Sequence, residues 1–137
     1  MFCNGKILSV VIVATLGFTA MVGVQADEFS QKDLANWEAQ FQSVVKKGRA
    51  LFTSGQLGSN GVSCAQCHPN GTNTHPETYP KFQKQLGKVG NAWEMINWCI
   101  ENPLKGKKLK PDSADMIAIM AYITYERRGV KLAPGKH

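Results

Sequence analysis

Residues 60 to 71 read NGVSCAQCHPNG, and within them Cys64 and Cys67 lie three apart with His68 directly after the second. This spacing constrains the fold more than any other feature of the chain. Two thiols on one helical turn, followed at once by an imidazole, suit only a few chemistries: a disulfide framework, a zinc knuckle, a redox dithiol or a covalently attached haem. Each makes a different demand on the rest of the sequence.

The N-terminus sets the compartment. Lys6, the apolar run from Ile7 to Val24 and the small-residue site Val24-Gln25-Ala26 have the layout of a secretory signal peptide spanning residues 1–26. Ser9, Thr15, Gly17, Thr19 and Gly23 interrupt the run, which suits a cleaved leader better than a permanent membrane anchor. The expected mature protein is therefore a single periplasmic domain of 111 residues, 27–137. Lys6 leaves with the leader, so fifteen Lys and Arg remain against ten Asp and Glu, a net charge of +5. Cys3 leaves too, and three cysteines remain: Cys64, Cys67 and Cys99.

Three cysteines cannot all be paired within one chain, which argues against a disulfide framework. A zinc site wants a second pair of ligands at matching spacing, and beyond Cys99 only His75 and His137 are available. A redox dithiol opens a helix after a strand, and no alternating run precedes Cys64. Cys-x-x-Cys-His is the attachment signature of c-type haem: the thiols reach the two vinyl groups and the histidine is directed at the iron. The expected cofactor is one covalent haem c, with His68 as proximal ligand.

The remaining sequence reads as helices. Leu34, Trp37, Phe41, Val44, Val45, Gly48, Leu51 and Phe52 recur at three- and four-residue spacing and predict a helix from about Gln31 to Thr53. Asn91, with Glu94 three residues on, opens a shorter helix through Met95 and Cys99 that Pro103 stops after about two turns. Asp112 or Ser113 caps a last helix with the stripe Met116, Ile119, Met120 and Ile123; Arg127 and Arg128 suit its negative end and Gly129 closes it. Nothing between these alternates like a strand, and the stretch from Ser54 to Pro80 has the Gly, Asn, Ser, Thr and Pro content of loops. So short a chain cannot bury a large core alone. The porphyrin is expected to complete the core, leaving the haem-free chain largely unfolded.

Gly48 to Phe52, Cys64-Ala65-Gln66-Cys67-His68 and a terminal helix carrying Tyr122 together resemble the class I cytochromes c. The resemblance implies an all-α fold of three or more helices around one covalent haem. It also implies that the first and last helices cross with Gly48 against Tyr122. One departure stands out: members usually take a methionine from the loop before the last helix as second axial ligand, and no methionine lies between Cys99 and Pro111. The remaining sulfurs are Met95, Cys99, Met116 and Met120. The last two belong to a helix stripe, where methionine ordinarily fills gaps. Met95 and Cys99, four apart, share a face of the short helix, and only one can bind the iron.

A second resemblance bears on that choice. MINWCIENPLKGKKL, DSADMIAIMAYI and RRG are similar to the SoxA and thiosulfate dehydrogenase cytochromes of sulfur oxidation. It implies Cys99 as distal ligand, with Met95 the runner-up. Many of those proteins have two haem domains or a haem-bearing partner subunit, whereas this chain has a single Cys-x-x-Cys-His. Thiolate ligation favours ferric iron and a low potential; thioether ligation favours ferrous iron and a higher one.

Two functions follow. The first is electron transfer at an exposed haem edge, with Lys81, Lys84 and Lys88 in one group and Lys105, Lys107, Lys108 and Lys110 in another steering an acidic redox partner. The second is a catalytic haem subunit acting on an anionic sulfur compound such as thiosulfate. Export argues against nucleic-acid partners. His75 reads as a loop residue near the haem rim, and Trp93 and Trp98 as packing along the haem or its propionates.

Overall fold

A computed structural model describes residues 29–131. The proposed leader, 1–26, lies outside them. Four helices, α1 (Gln31–Thr53), α2 (Cys64–Cys67), α3 (Ala92–Glu101) and α4 (Ala114–Arg127), are joined by loops and short, tightly wound helical turns. Among the described residues no helix is long and apolar enough to cross a membrane.

Helix α1 begins at a capping box. The Asp33 N–H donates to Ser30 Oγ and the Ser30 N–H donates back to Asp33 Oδ2, both at 3.2 Å, so two otherwise orphan donors are satisfied. Helix α4 starts likewise on Ser113, whose Oγ accepts from the Met116 N–H at 3.3 Å. Gly129, just past its end, has the positive φ of +74° that a helix stop favours.

The two long helices cross at Gly48. A Cβ there would sit 1.9 Å from the Ala118 carbonyl oxygen and 2.8 Å from Tyr122 Cβ, so only glycine lets the backbones approach this closely. Around the crossing Val45, Leu51, Phe52, Ala118, Ile119, Tyr122 and Ile123 form the core. The Phe52 and Tyr122 rings pack tilted, 5.1 Å apart. The crossing implied by the resemblance to class I cytochromes is present.

The apolar stripe on α1 is only half buried. Leu34, Trp37 and Phe41 are exposed, and the buried positions of α1, Val45, Gly48, Leu51 and Phe52, all lie in its C-terminal half. Trp37 instead meets Phe29 edge-on at 4.7 Å, and Phe41 lies 6.3 Å from Tyr125.

Helix α3 has the expected Asn91–Glu94 capping box but runs ten residues, nearly three turns rather than two. The expectation of no strands fails: Lys81–Gln83 (β1) and Lys88–Gly90 (β2) pair antiparallel, Phe82 opposite Val89. Three residues per strand are too few to display an alternating pattern in sequence.

Backbone hydrogen bonding joins the loop before α2 to the loop after α3. The Ser59 N–H donates to the Leu104 carbonyl (3.0 Å), Ser59 Oγ to the Lys105 carbonyl (2.9 Å) and Asn60 Nδ2 to the Pro103 carbonyl (2.8 Å). Gly106 fits under the Leu57 carbonyl where a Cβ would approach to 1.9 Å. Asn97, buried on α3, donates to the Leu109 carbonyl and accepts from the Leu109 N–H, both at 2.9 Å.

The crossing generates a prediction. Gly48→Ala must force α1 and α4 apart, lowering the stability of the holoprotein by about 3 kcal/mol. Urea unfolding followed by circular dichroism tests this: an unchanged midpoint would show that the crossing tolerates a methyl group.

Candidate haem site

Helices α2, α3 and α4 and the hairpin wall a cavity of about 350 Å³. Cys64, Cys67 and His68 line it from α2, and Met95, Trp98 and Cys99 from α3. From α4 come Ile119, Met120 and Ile123, and Lys81 and Gln83 come from β1.

Helix α2 is one turn long, and its flanks hold it. Ser63 and Gln66 form a capping box around the turn, and the His68 N–H donates to the Cys64 carbonyl at 2.9 Å. His68 Nδ1 lies 2.8 Å from the Thr72 carbonyl oxygen. A carbonyl can only accept, so Nδ1 carries the proton and the lone pair belongs to Nε2. A histidine ring fixed in this way is the arrangement expected of a metal ligand, whose other nitrogen is oriented by a backbone carbonyl.

Among the described residues Cys64, Cys67 and Cys99 form no disulfide with one another. Burial pushes Cys64 up to about 11, and burial together with charge on Cys64 and Cys67 does the same for Cys99, so the α2 and α3 thiols feel one another. Met95 and Cys99 both reach the cavity, as their shared face required. Met116 does not: it is fully buried in the core. Met120, its neighbour one turn on, does line the cavity, which stripe periodicity alone does not reveal. Trp98 lines it and Trp93 does not.

His75 does not line the cavity. It is held 3.2 Å from Glu77 Oε1 and 3.3 Å from Arg127 Nη2, with Arg127 Nη2 a further 3.8 Å from Glu77. The first lysine group is divided. Lys81 turns into the cavity, Lys88 is paired with Glu94 at 2.5 Å, and Lys84 stays at the exposed hairpin tip. The second group is intact, with Lys105, Lys107, Lys108 and Lys110 all exposed and Lys108 paired to Glu101 at 2.9 Å.

Tyr79, Lys81 and Gln83 were missed as cavity residues by sequence reasoning. The signal that finds them is the polar alternation Lys81-Phe82-Gln83, visible only once the hairpin is known.

Among the described residues no three His, Cys, Asp or Glu side chains converge as a metal site. The donors instead come from different walls of a largely apolar cavity, an arrangement that fits an iron carried by its own planar tetradentate ring. Helices crossing at a glycine over such a cavity, with Cys-x-x-Cys-His on one wall, define a c-type cytochrome domain. The chain belongs to the SoxA/TsdA cytochrome c domain family, which matches residues 47–132. The cofactor is accordingly covalently bound haem c with its iron.

A thiosulfate dehydrogenase of Psychrobacter arcticus is 35% identical over 99 residues, 63% of this chain and 30% of that protein. A thiosulfate dehydrogenase of Allochromatium vinosum is 28% identical over 105 residues, 65% of this chain and 39% of that protein. The match thus spans only 30% and 39% of the length of these relatives. No solved structure gives a significant match.

The Glu77 cluster yields a pH prediction. Burial alone would raise this carboxyl, but its hydrogen bonds, with His75 among the donors, and the Arg127 charge hold it below its ordinary 4.5. A depressed carboxylate contributes stability that is present above about pH 4.5 and lost as pH falls through its lower folded-state value. The stability gap between wild type and Glu77→Gln should therefore narrow as pH drops from 6 to 3. Urea midpoints measured across that range would refute this if the gap stayed constant.

Proposed function

We propose that the chain is an exported, monohaem electron-transfer cytochrome of sulfur-compound oxidation. In this reading Cys64 and Cys67 carry the thioether links, His68 Nε2 is the proximal ligand and Cys99 the distal ligand. The observation that carries it is the meeting of Cys64, Cys67, His68 and Cys99 on one cavity. When bound, the haem supplies a one-electron ferric/ferrous couple, biased toward ferric by a thiolate.

The residues of the chain prepare that couple. Thr72 fixes the tautomer of His68. Burial keeps Cys99 protonated until something compensates its charge, and a ferric centre is such a partner. The exposed Lys105, Lys107, Lys108 and Lys110 offer an acidic redox partner a basic landing surface. Residues 1–26 act as the export leader, placing the domain in the periplasm.

Both named relatives are thiosulfate dehydrogenases, which favours a catalytic reading in second place. Joining two thiosulfates through a sulfur–sulfur bond releases two electrons. A single haem accepts one, so the other must pass to a partner redox centre. For that reason electron transfer ranks first. Steady thiosulfate turnover by the pure protein with an artificial acceptor, abolished by Cys99→Ala, would reverse the order.

Optical and electron paramagnetic resonance spectra of the oxidised holoprotein test the ligation. A low-spin thiolate signature is expected, absent from Cys99→Ala and retained in Met95→Ala. A methionine-type spectrum lost only in Met95→Ala would instead make Cys99 a packed bystander and the protein an ordinary high-potential carrier.

A further inference from the structure

The β1–β2 hairpin is inside out. Side chains along a strand alternate between its two faces, and a strand resting on an apolar cavity normally turns its apolar side chains inward. Here Phe82 and Val89, directly opposite one another, point outward and are 62% and 63% exposed. Lys81 and Gln83 face in. No packing gain accounts for exposing two large apolar side chains in order to half-bury a lysine and an amide.

The inward face has unused capacity for negative charge. The cavity lining contains no Asp or Glu, and Lys81 is its one cation. Among the described residues no carboxylate lies within salt-bridge distance of Lys81, although the Glu77 charge is near enough to favour its ammonium form, whereas Lys88 on the next strand is bound to Glu94. The Lys81 ammonium instead lies 4.8 Å over the Tyr79 ring. Tyr79 Oη accepts from Gln83 Nε2 at 2.5 Å, which leaves the phenol's own proton to donate elsewhere. Burial raises Tyr79, the Gln83 hydrogen bond opposes this, and charge on Cys99 adds to it, so this group stands within electrostatic reach of Cys99.

We propose that Lys81, with Tyr79 and Gln83, is a binding site for an anionic oxygen group in the cavity: a porphyrin carboxylate or a free oxyanion. The proposal rests on the reading of the cavity as the haem site. An ammonium and a phenol converging from one wall supply a charge-assisted hydrogen bond and a second donor to such a group. The hairpin then serves as an electrostatic wall, and its inverted pattern is the consequence.

The test uses the holoprotein and the variants Lys81→Met, Lys81→Arg and, as a control at the exposed hairpin tip, Lys84→Met. Haem content is confirmed by pyridine haemochrome; equilibrium redox titrations and thiosulfate binding followed by the Soret band are then compared. If the partner is a porphyrin carboxylate, Lys81→Met moves the ferric/ferrous ratio about tenfold toward ferric at fixed potential, about 59 mV for one electron. Thiosulfate affinity then stays unchanged. If the partner is a free oxyanion, the thiosulfate dissociation constant rises about tenfold, the loss of one charge-assisted contact, whatever happens to the potential. Either result supports the proposal when Lys81→Arg retains wild-type values and Lys84→Met is silent. A haem-replete Lys81→Met protein unchanged in both respects overturns it, as does an equal effect from Lys84→Met. The underlying reading fails separately, if Cys64→Ala/Cys67→Ala still holds haem covalently.

Discussion

The structure depends on the contact of Gly48 with the Ala118 carbonyl. Two helices meeting without side chains between them draw the flanking Phe52, Ile119, Tyr122 and Ile123 into one compact layer. Phe52, Ile119 and Ile123 also line the cavity, so the same contact that closes the core sets the position of the cavity's back wall. The family match begins at residue 47, beside this glycine. The exposed N-terminal half of α1 lies almost entirely before it.

The second constraint is the tie between the loop before α2 and the loop after α3. A single-turn helix cannot hold its own geometry, since nucleation costs more than one turn returns. The Cys-x-x-Cys-His segment is therefore positioned from outside, by Ser59 and Asn60 bonded to the 103–105 backbone, by the Ser63–Gln66 box, and by Thr72 beneath the imidazole. The segment after α2 turns tightly through positive φ at Asn70, Gly71, Asn73 and His75. Asparagine and glycine tolerate that region, which is why the turn was readable only as a loop.

Legibility in the sequence followed the length of each signal. The bounds of α1 and the caps of α3 and α4 rest on patterns of ten or more residues or on specific cap chemistry, and these matched, as did the glycine crossing implied by the resemblance to class I cytochromes. The exposure of Leu34, Trp37 and Phe41 was not legible, because periodicity shows that a face is apolar and not that a partner reaches it. The hairpin was hidden by strands of three residues. The cavity sulfurs on α3 followed from four-residue spacing, while Met116 and Met120 shared a stripe yet point to core and cavity respectively. Only the three-dimensional path of α4 separates them. The grouping of Lys81 with Lys84 and Lys88 is divided because Lys81 lines the cavity, Lys84 sits at the hairpin tip between the strands and Lys88 is taken up by Glu94.

Helix α3 links the cavity to the basic surface. Asn97, Trp98 and Cys99 are consecutive, and the first grips Leu109 through both polar atoms of its amide while the other two line the cavity. Leu109 lies between Lys108 and Lys110, so the backbone of the exposed lysine loop is bonded to the residue two before Cys99. A buried amide paired in both directions is costly to break, since either atom would be left unsatisfied away from water. The loop therefore cannot shift without loading α3, and the surface that would receive a redox partner and the thiol that would face the iron are parts of one rigid unit. An electron carrier needs that stiffness to keep its reorganisation small. A ligand helix of nearly three turns, capped at one end by Asn91 and Glu94 and anchored near the other through Asn97, supplies it.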